Sequence, residues 1–105
     1  MIDPQNVERV AIVGAGTIGS GWAVHYLACD KTVTVSDPAP DAESRVRAFV
    51  EDAWPAVAAR AVAGADPGGL RFVVDPAVAV SDAQLVQESG PESLAAKTDI
   101  YRALE

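Results

Sequence analysis

The spacing of apolar and polar positions changes several times along the chain, and each change predicts an element. Residues 7–13 end in an unbroken apolar run, VAIV, which predicts a strand buried on both faces. Residues 17–29 bring Ile18, Trp22, Ala23 and Tyr26 to helical spacing and predict a helix. The β-branched stretch 31–37, KTVTVSD, predicts a second strand. PAPD then breaks the chain, and Asp41 is placed to cap a long helix over 42–62. Val46, Phe49, Val50, Ala53 and Val57 form the apolar stripe of that helix, with a bend expected at Pro55. A loop over 63–69 leads to a third strand at 70–74, and a short helical turn over 76–80 leads to a fourth strand at 84–89. After Gly90 and Pro91, residues 92–104 predict a last helix with Leu94, Ile100, Tyr101 and Leu104 toward one face. Strands alternating with helices predict an α/β fold: a parallel sheet of about four strands, order 3-2-1-4, with right-handed crossovers and helices on both faces. In that order a crevice opens between the first and fourth strands at their carboxyl ends, and both GAGTIG and ESGPE reach it.

Composition narrows the function classes. The chain has 105 residues, room for one domain, and 20 of them are alanine, so its core is built from small side chains. A net charge of −7, with 8 scattered basic residues, argues against a nucleic-acid partner, which wants clustered Lys and Arg. No apolar run approaches the ~18 residues needed to span a bilayer, so no membrane partner is expected. MIDPQNVER has neither a basic segment nor an apolar one and does not read as a signal peptide. Cys29 is the only cysteine, which excludes an intrachain disulfide and fits a cytoplasmic setting. No metal-ligand cluster and no Ser-His-Asp set is visible.

The chemistry lies in GAGTIG, residues 14–19, a G-x-G-x-x-G pattern. A bare match also fits an ordinary tight turn. Here a buried-type strand precedes it, a helix follows, and an acid, Asp37, closes the next strand 18 residues after Gly19. In a Rossmann-type reading Gly14 permits the turn off the strand, Gly16 lets the backbone approach a pyrophosphate, and Gly19 lets the helix pack on the strand. Ala15, Thr17 and Ile18 complete the loop, and the free N–H groups of the helix start face the phosphates. Asp37 accepts hydrogen bonds from ribose hydroxyls and repels a 2′-phosphate, and Pro38, Ala39 and Pro40 offer no base to receive one. NAD is therefore expected over NADP. The lone His25 stands two turns into the first helix, and Trp22 and Trp54 read as packing residues.

VAIVGAGTIGSGWAVHYLA, VTVSDPAP and LVQESGPESLAAKTDIYRAL together resemble the 3-hydroxyacyl-CoA dehydrogenase family, as the first part of its NAD-binding domain. The resemblance implies an NAD-dependent oxidoreductase acting on the hydroxyl of a small 3-hydroxy acid. It places Glu92 and Lys97 near the cofactor, in an E-x-x-x-E motif opened by Glu88 and followed five residues later by the lysine. Members using acyl-CoA carry a serine and a lysine in the long second helix, where this chain has Ala53 and Arg60. Members usually have a glycine in the turn that here reads Cys29-Asp30-Lys31. The family's catalytic serine, histidine, glutamate and asparagine, its last cofactor-domain strands and its helical domain come after the matched stretch. The resemblance therefore implies a partial NAD-binding domain over 1–105 that is inactive alone; the alternatives are a relative whose substrate is a 3-hydroxyacyl-CoA or the sugar acid L-gulonate, and a non-catalytic module that binds a dinucleotide or only self-associates. A fourth strand left at a sheet edge, QLVQES, carries no lysine or proline to discourage pairing, so a homo-oligomer is expected.

Overall fold

The computed structural model of the chain describes residues 7–89. Strand β1 (Arg9–Val13), helix α1 (Thr17–Ala28), β2 (Thr32–Ser36), α2 (Ala42–Val57), a 3-10 turn (Pro67–Gly69), β3 (Leu70–Val73), α3 (Pro76–Val80) and β4 (Leu85–Glu88) follow one another. The strands form one parallel sheet in the order β3-β2-β1-β4, as the alternation of elements predicts.

β1 lies inside the sheet, paired with β2 on one side and β4 on the other. This explains its apolar run: Val10, Ala11, Ile12 and Val13 are all buried, because helices cover both faces and neighbouring strands cover both edges. On one face Val10, Ile12, Val33 and Val35 pack against Ala23 and Leu27 of α1 and Val46 and Val50 of α2. Thr32 and Thr34, which alternate with those valines, line a small hollow with Ala79 of α3 on the other face. Small side chains let the layers approach closely, and Ile12 and Leu27 are among the largest side chains fully enclosed.

Helix α1 ends in a left-handed residue. Asp30 has φ 61°, its N–H donates to the Leu27 carbonyl at 3.0 Å, and the Lys31 N–H donates to the Tyr26 carbonyl at 3.0 Å. This is the pairing usually closed by glycine. Asp holds the turn because its short polar side chain tolerates that region better than most.

Three local expectations change. The long helix stops at Val57, not near residue 62. Pro55 has no N–H for the carbonyl one turn back, and the Val62 N–H donates to the Ala28 carbonyl at 2.9 Å, which turns the chain toward α1. Asp41 precedes α2 without a side-chain cap bond, at φ −101° and ψ 4°, outside the extended geometry that aims a cap at the helix. Its carboxylate pairs instead with Arg45 at 3.2 Å. The strands begin or end one or two residues inside their predicted limits. The helix expected over 92–104 lies outside the described residues. Among the described residues, no helix is long and apolar enough to cross a membrane.

Candidate functional site

The register sets the carboxyl ends of three strands level: Val13 stands opposite Ser36 of β2 and Glu88 of β4. Past this line the chain turns sharply. Gly14 has φ 108°, a region open to glycine and strained for other residues, and its N–H donates to the Ser36 carbonyl at 2.8 Å. On the other side, the Ser89 N–H donates to the Val13 carbonyl at 2.7 Å. The loop is thus anchored to both neighbours of β1.

Ala15 is buried, and its N–H donates to Asp37 Oδ2 at 2.9 Å. The other oxygen, Oδ1, accepts from the Ala39 N–H at 2.8 Å. The carboxylate at the end of β2 therefore holds both the glycine loop and its own turn. Each oxygen retains further acceptor capacity, since an ionised carboxylate offers about four lone-pair directions.

Gly16 precedes α1 in an extended conformation, and no side chain caps the helix. The first N–H groups of an α-helix have no partner within it, and no acid stands in the first turn of α1. The result is a concentrated positive end. The space beside Gly16 is open, with no other heavy atom within 4 Å of where a Cβ would lie. Thr17 is exposed, and Ile18 is exposed to 72%, an apolar side chain left open in the first turn of α1. Gly19 differs: a Cβ there would collide with the Gly14 carbonyl oxygen and come within 3.4 Å of Ser89 Cβ. Its lack of a side chain is what lets α1 start directly over β1.

Gly14, Ala15, Gly16, Thr17, Ile18, Gly19 and Asp37 are thus brought together at the crevice. Glu88 ends β4 beside it, while Glu92 and Lys97 lie outside the described residues. His25 is on α1 with its ring 5.8 Å from Trp22 and 5.1 Å from Tyr26, and Trp22 stacks on Tyr26. Ala53 packs half-buried against the core. Arg60 lines a shallow hollow of about 400 Å³ with His25, Cys29 and Val57. Among the described residues, no group of three or more His, Cys, Asp or Glu is placed to hold a metal ion. Sequence reasoning missed the tether from Asp37 to Ala15. Its other bond was signalled by Asp-Pro-Ala, a sequence in which aspartate accepts from the N–H two residues on.

Residues 9–105 match the family described as 3-hydroxyacyl-CoA dehydrogenase, NAD binding domain. The chain is 49% identical over 106 residues to L-carnitine dehydrogenase of Streptomyces coelicolor, covering 100% of this chain and 33% of that protein. It is 48% identical over 103 residues to L-carnitine dehydrogenase of Nocardiopsis dassonvillei, covering 97% of this chain and 31% of that protein. Among solved structures it resembles FHMPC 5-dehydrogenase, an NAD+ dependent dismutase, with TM-score 0.80 and 36% identity over 93% of this chain and 32% of that one. The chain spans about a third of the length of the curated relatives it matches. Parallel order, glycine loop, strand-end acid and the match over 9–105 converge: the chain belongs to the 3-hydroxyacyl-CoA dehydrogenase family, within its NAD-binding domain.

Proposed function

We propose that the loop 14–19 and Asp37 bind NAD, joined by Glu92 and Lys97, and that the chain is the cofactor-binding portion of an enzyme oxidising the 3-hydroxyl of L-carnitine. One observation carries the cofactor assignment. The open, uncapped start of α1 lies beside an acid fixed at the end of β2. Open space beside Gly16 is the cradle a Cβ would fill, and the residues present fit a dinucleotide. When bound, NAD supplies the hydride acceptor. The chain's residues bind and orient: N–H groups at the start of α1 meet the pyrophosphate, and the remaining lone pairs of Asp37 accept from ribose hydroxyls. The substrate assignment rests on the relatives' names and on Ala53, where family members that use acyl-CoA carry a serine.

Titration of the chain with NAD and NADP by calorimetry tests this. NAD is expected to bind at least about tenfold tighter than NADP, since a 2′-phosphate would face a fixed carboxylate. Asp37→Ala should weaken NAD and close the gap. Equal affinities for both dinucleotides in the unaltered chain would remove the role given to Asp37. Residues 1–105 taken alone with L-carnitine and NAD are expected to form no NADH, because they span only about a third of the length of the L-carnitine dehydrogenases they match. Steady NADH formation would contradict that.

The proposal extends to assembly. Among the described residues β4 pairs only with β1, and Leu85 on it is 39% exposed. A strand edge of this kind templates pairing with another chain, so the chain is expected to sediment as a dimer or larger at micromolar concentration. A clean monomer there would dismiss this part.

A further inference from the structure

Ser20, Ser36 and Ser89 carry enclosed or half-enclosed hydroxyls, and two of the three are satisfied. Ser20 Oγ donates to the Ala15 carbonyl at 3.3 Å, and Ser36 Oγ donates to the Val74 carbonyl at 3.0 Å. Ser89 Oγ is shielded from solvent and has no hydrogen-bond partner, alone in this among the buried side-chain polar atoms of the described residues. Its position is fixed from two sides. Its N–H is bonded to the Val13 carbonyl at 2.7 Å, and its Cβ stands 3.4 Å from where a Cβ on Gly19 would lie. The side chain therefore sits under the first turn of α1, at the carboxyl end of β4. An alanine would fill nearly the same space without the cost of an unmade hydrogen bond. A buried polar group left unpaired in a folded chain is uncommon and calls for an explanation, of which a partner that arrives with a ligand is one.

We infer that Ser89 is a further cofactor-binding residue, whose hydroxyl gains its partner from the bound dinucleotide beyond the first phosphate. This rests on the NAD reading above. β4 lies across β1 from β2 and Asp37, so a ligand held at Asp37 by its adenosine half reaches Ser89 only with its second half. Serine has three staggered χ1 positions. The residue as a whole is only partly buried, so it stands at the rim of the packed interior, and a change of χ1 adjusts the hydroxyl toward an arriving acceptor without moving the pinned backbone. Phosphate and ribose oxygens of the second half of the dinucleotide would be its acceptors.

Calorimetric titration of the full chain and of Ser89→Ala with NAD, ADP-ribose and AMP tests the assignment, with thermal unfolding measured alongside. Ser89→Ala is expected to weaken NAD and ADP-ribose equally, by about tenfold. It should leave AMP unchanged and keep the unfolding midpoint equal or raise it. Unchanged NAD affinity in the variant, beside an unaltered chain that binds NAD, overturns the role of Ser89 alone. So does an equal loss for AMP, which would mean a disturbed loop, or a lowered midpoint, which would mean a structural hydroxyl. An unaltered chain that binds none of the three overturns the NAD reading and this inference with it.

Discussion

Helices α1 and α3 begin in opposite ways. Asp75 stands before α3, and its Oδ1 accepts the Ala77 N–H at 2.9 Å. Gly16 stands before α1 and offers nothing, and no acid follows in the first turn. A side-chain cap contributes about 1 kcal/mol. The five-residue α3 needs it, being too short to persist on its own hydrogen bonds. The twelve-residue α1 does without, because Ala23, Val24 and Leu27 fix it to the core. A capped end is finished within the chain. An uncapped end beside open space leaves its first N–H groups to water or to a ligand.

The two helix starts can be set against each other by substitution. The largest effect is expected at Gly19. Gly19→Val would drive a branched side chain into the Gly14 carbonyl and should cost about 3 kcal/mol of folding stability or more by urea unfolding. A small loss would mean that α1 moves off β1 easily, and the close start would not matter. Gly16→Val separates binding from folding, since the space there is open. NAD affinity should fall about 100-fold, or ~2.7 kcal/mol, with the urea midpoint nearly unmoved. Retained affinity would reduce the loop to a turn. The smallest effect belongs to the capped end. Asp75→Ala should lower stability by about 1 kcal/mol and leave NAD titration unchanged. A change in binding there would show that the two helix starts are not independent.

The sheet order and the glycine loop were legible because each depends on residues close in sequence. The run VAIV reads as a strand with cover on all sides, and it is one. The close packing expected at Gly19 follows from its place in the pattern, and a Cβ there would strike the Gly14 carbonyl, while the space beside Gly16 is open. What stayed hidden depends on contacts between distant residues. The long helix ends at Val57 partly because residue 62 bonds to residue 28, a pairing no local window contains. Asp41 has the composition of a cap but not the backbone angles. The bond from Asp37 back to Ala15 spans 22 residues, and the unpaired Ser89 hydroxyl is visible only once β4 lies beside β1.

The carboxylate of Asp37 has a consequence for engineering. A protein designer who wants NADP in place of NAD would begin by exchanging this acid for a neutral or basic residue. Here that exchange also removes the acceptor that holds the Ala15 N–H, so the specificity proposed for Asp37 and the geometry of the loop rest on one side chain. A successful redesign must restore the lost anchor, for example with an asparagine whose side-chain carbonyl still faces Ala15, before adding a base for the extra phosphate. Such a coupling narrows the paths by which a lineage drifts between the two cofactors, because the first step along the direct path loosens the loop before it gains anything.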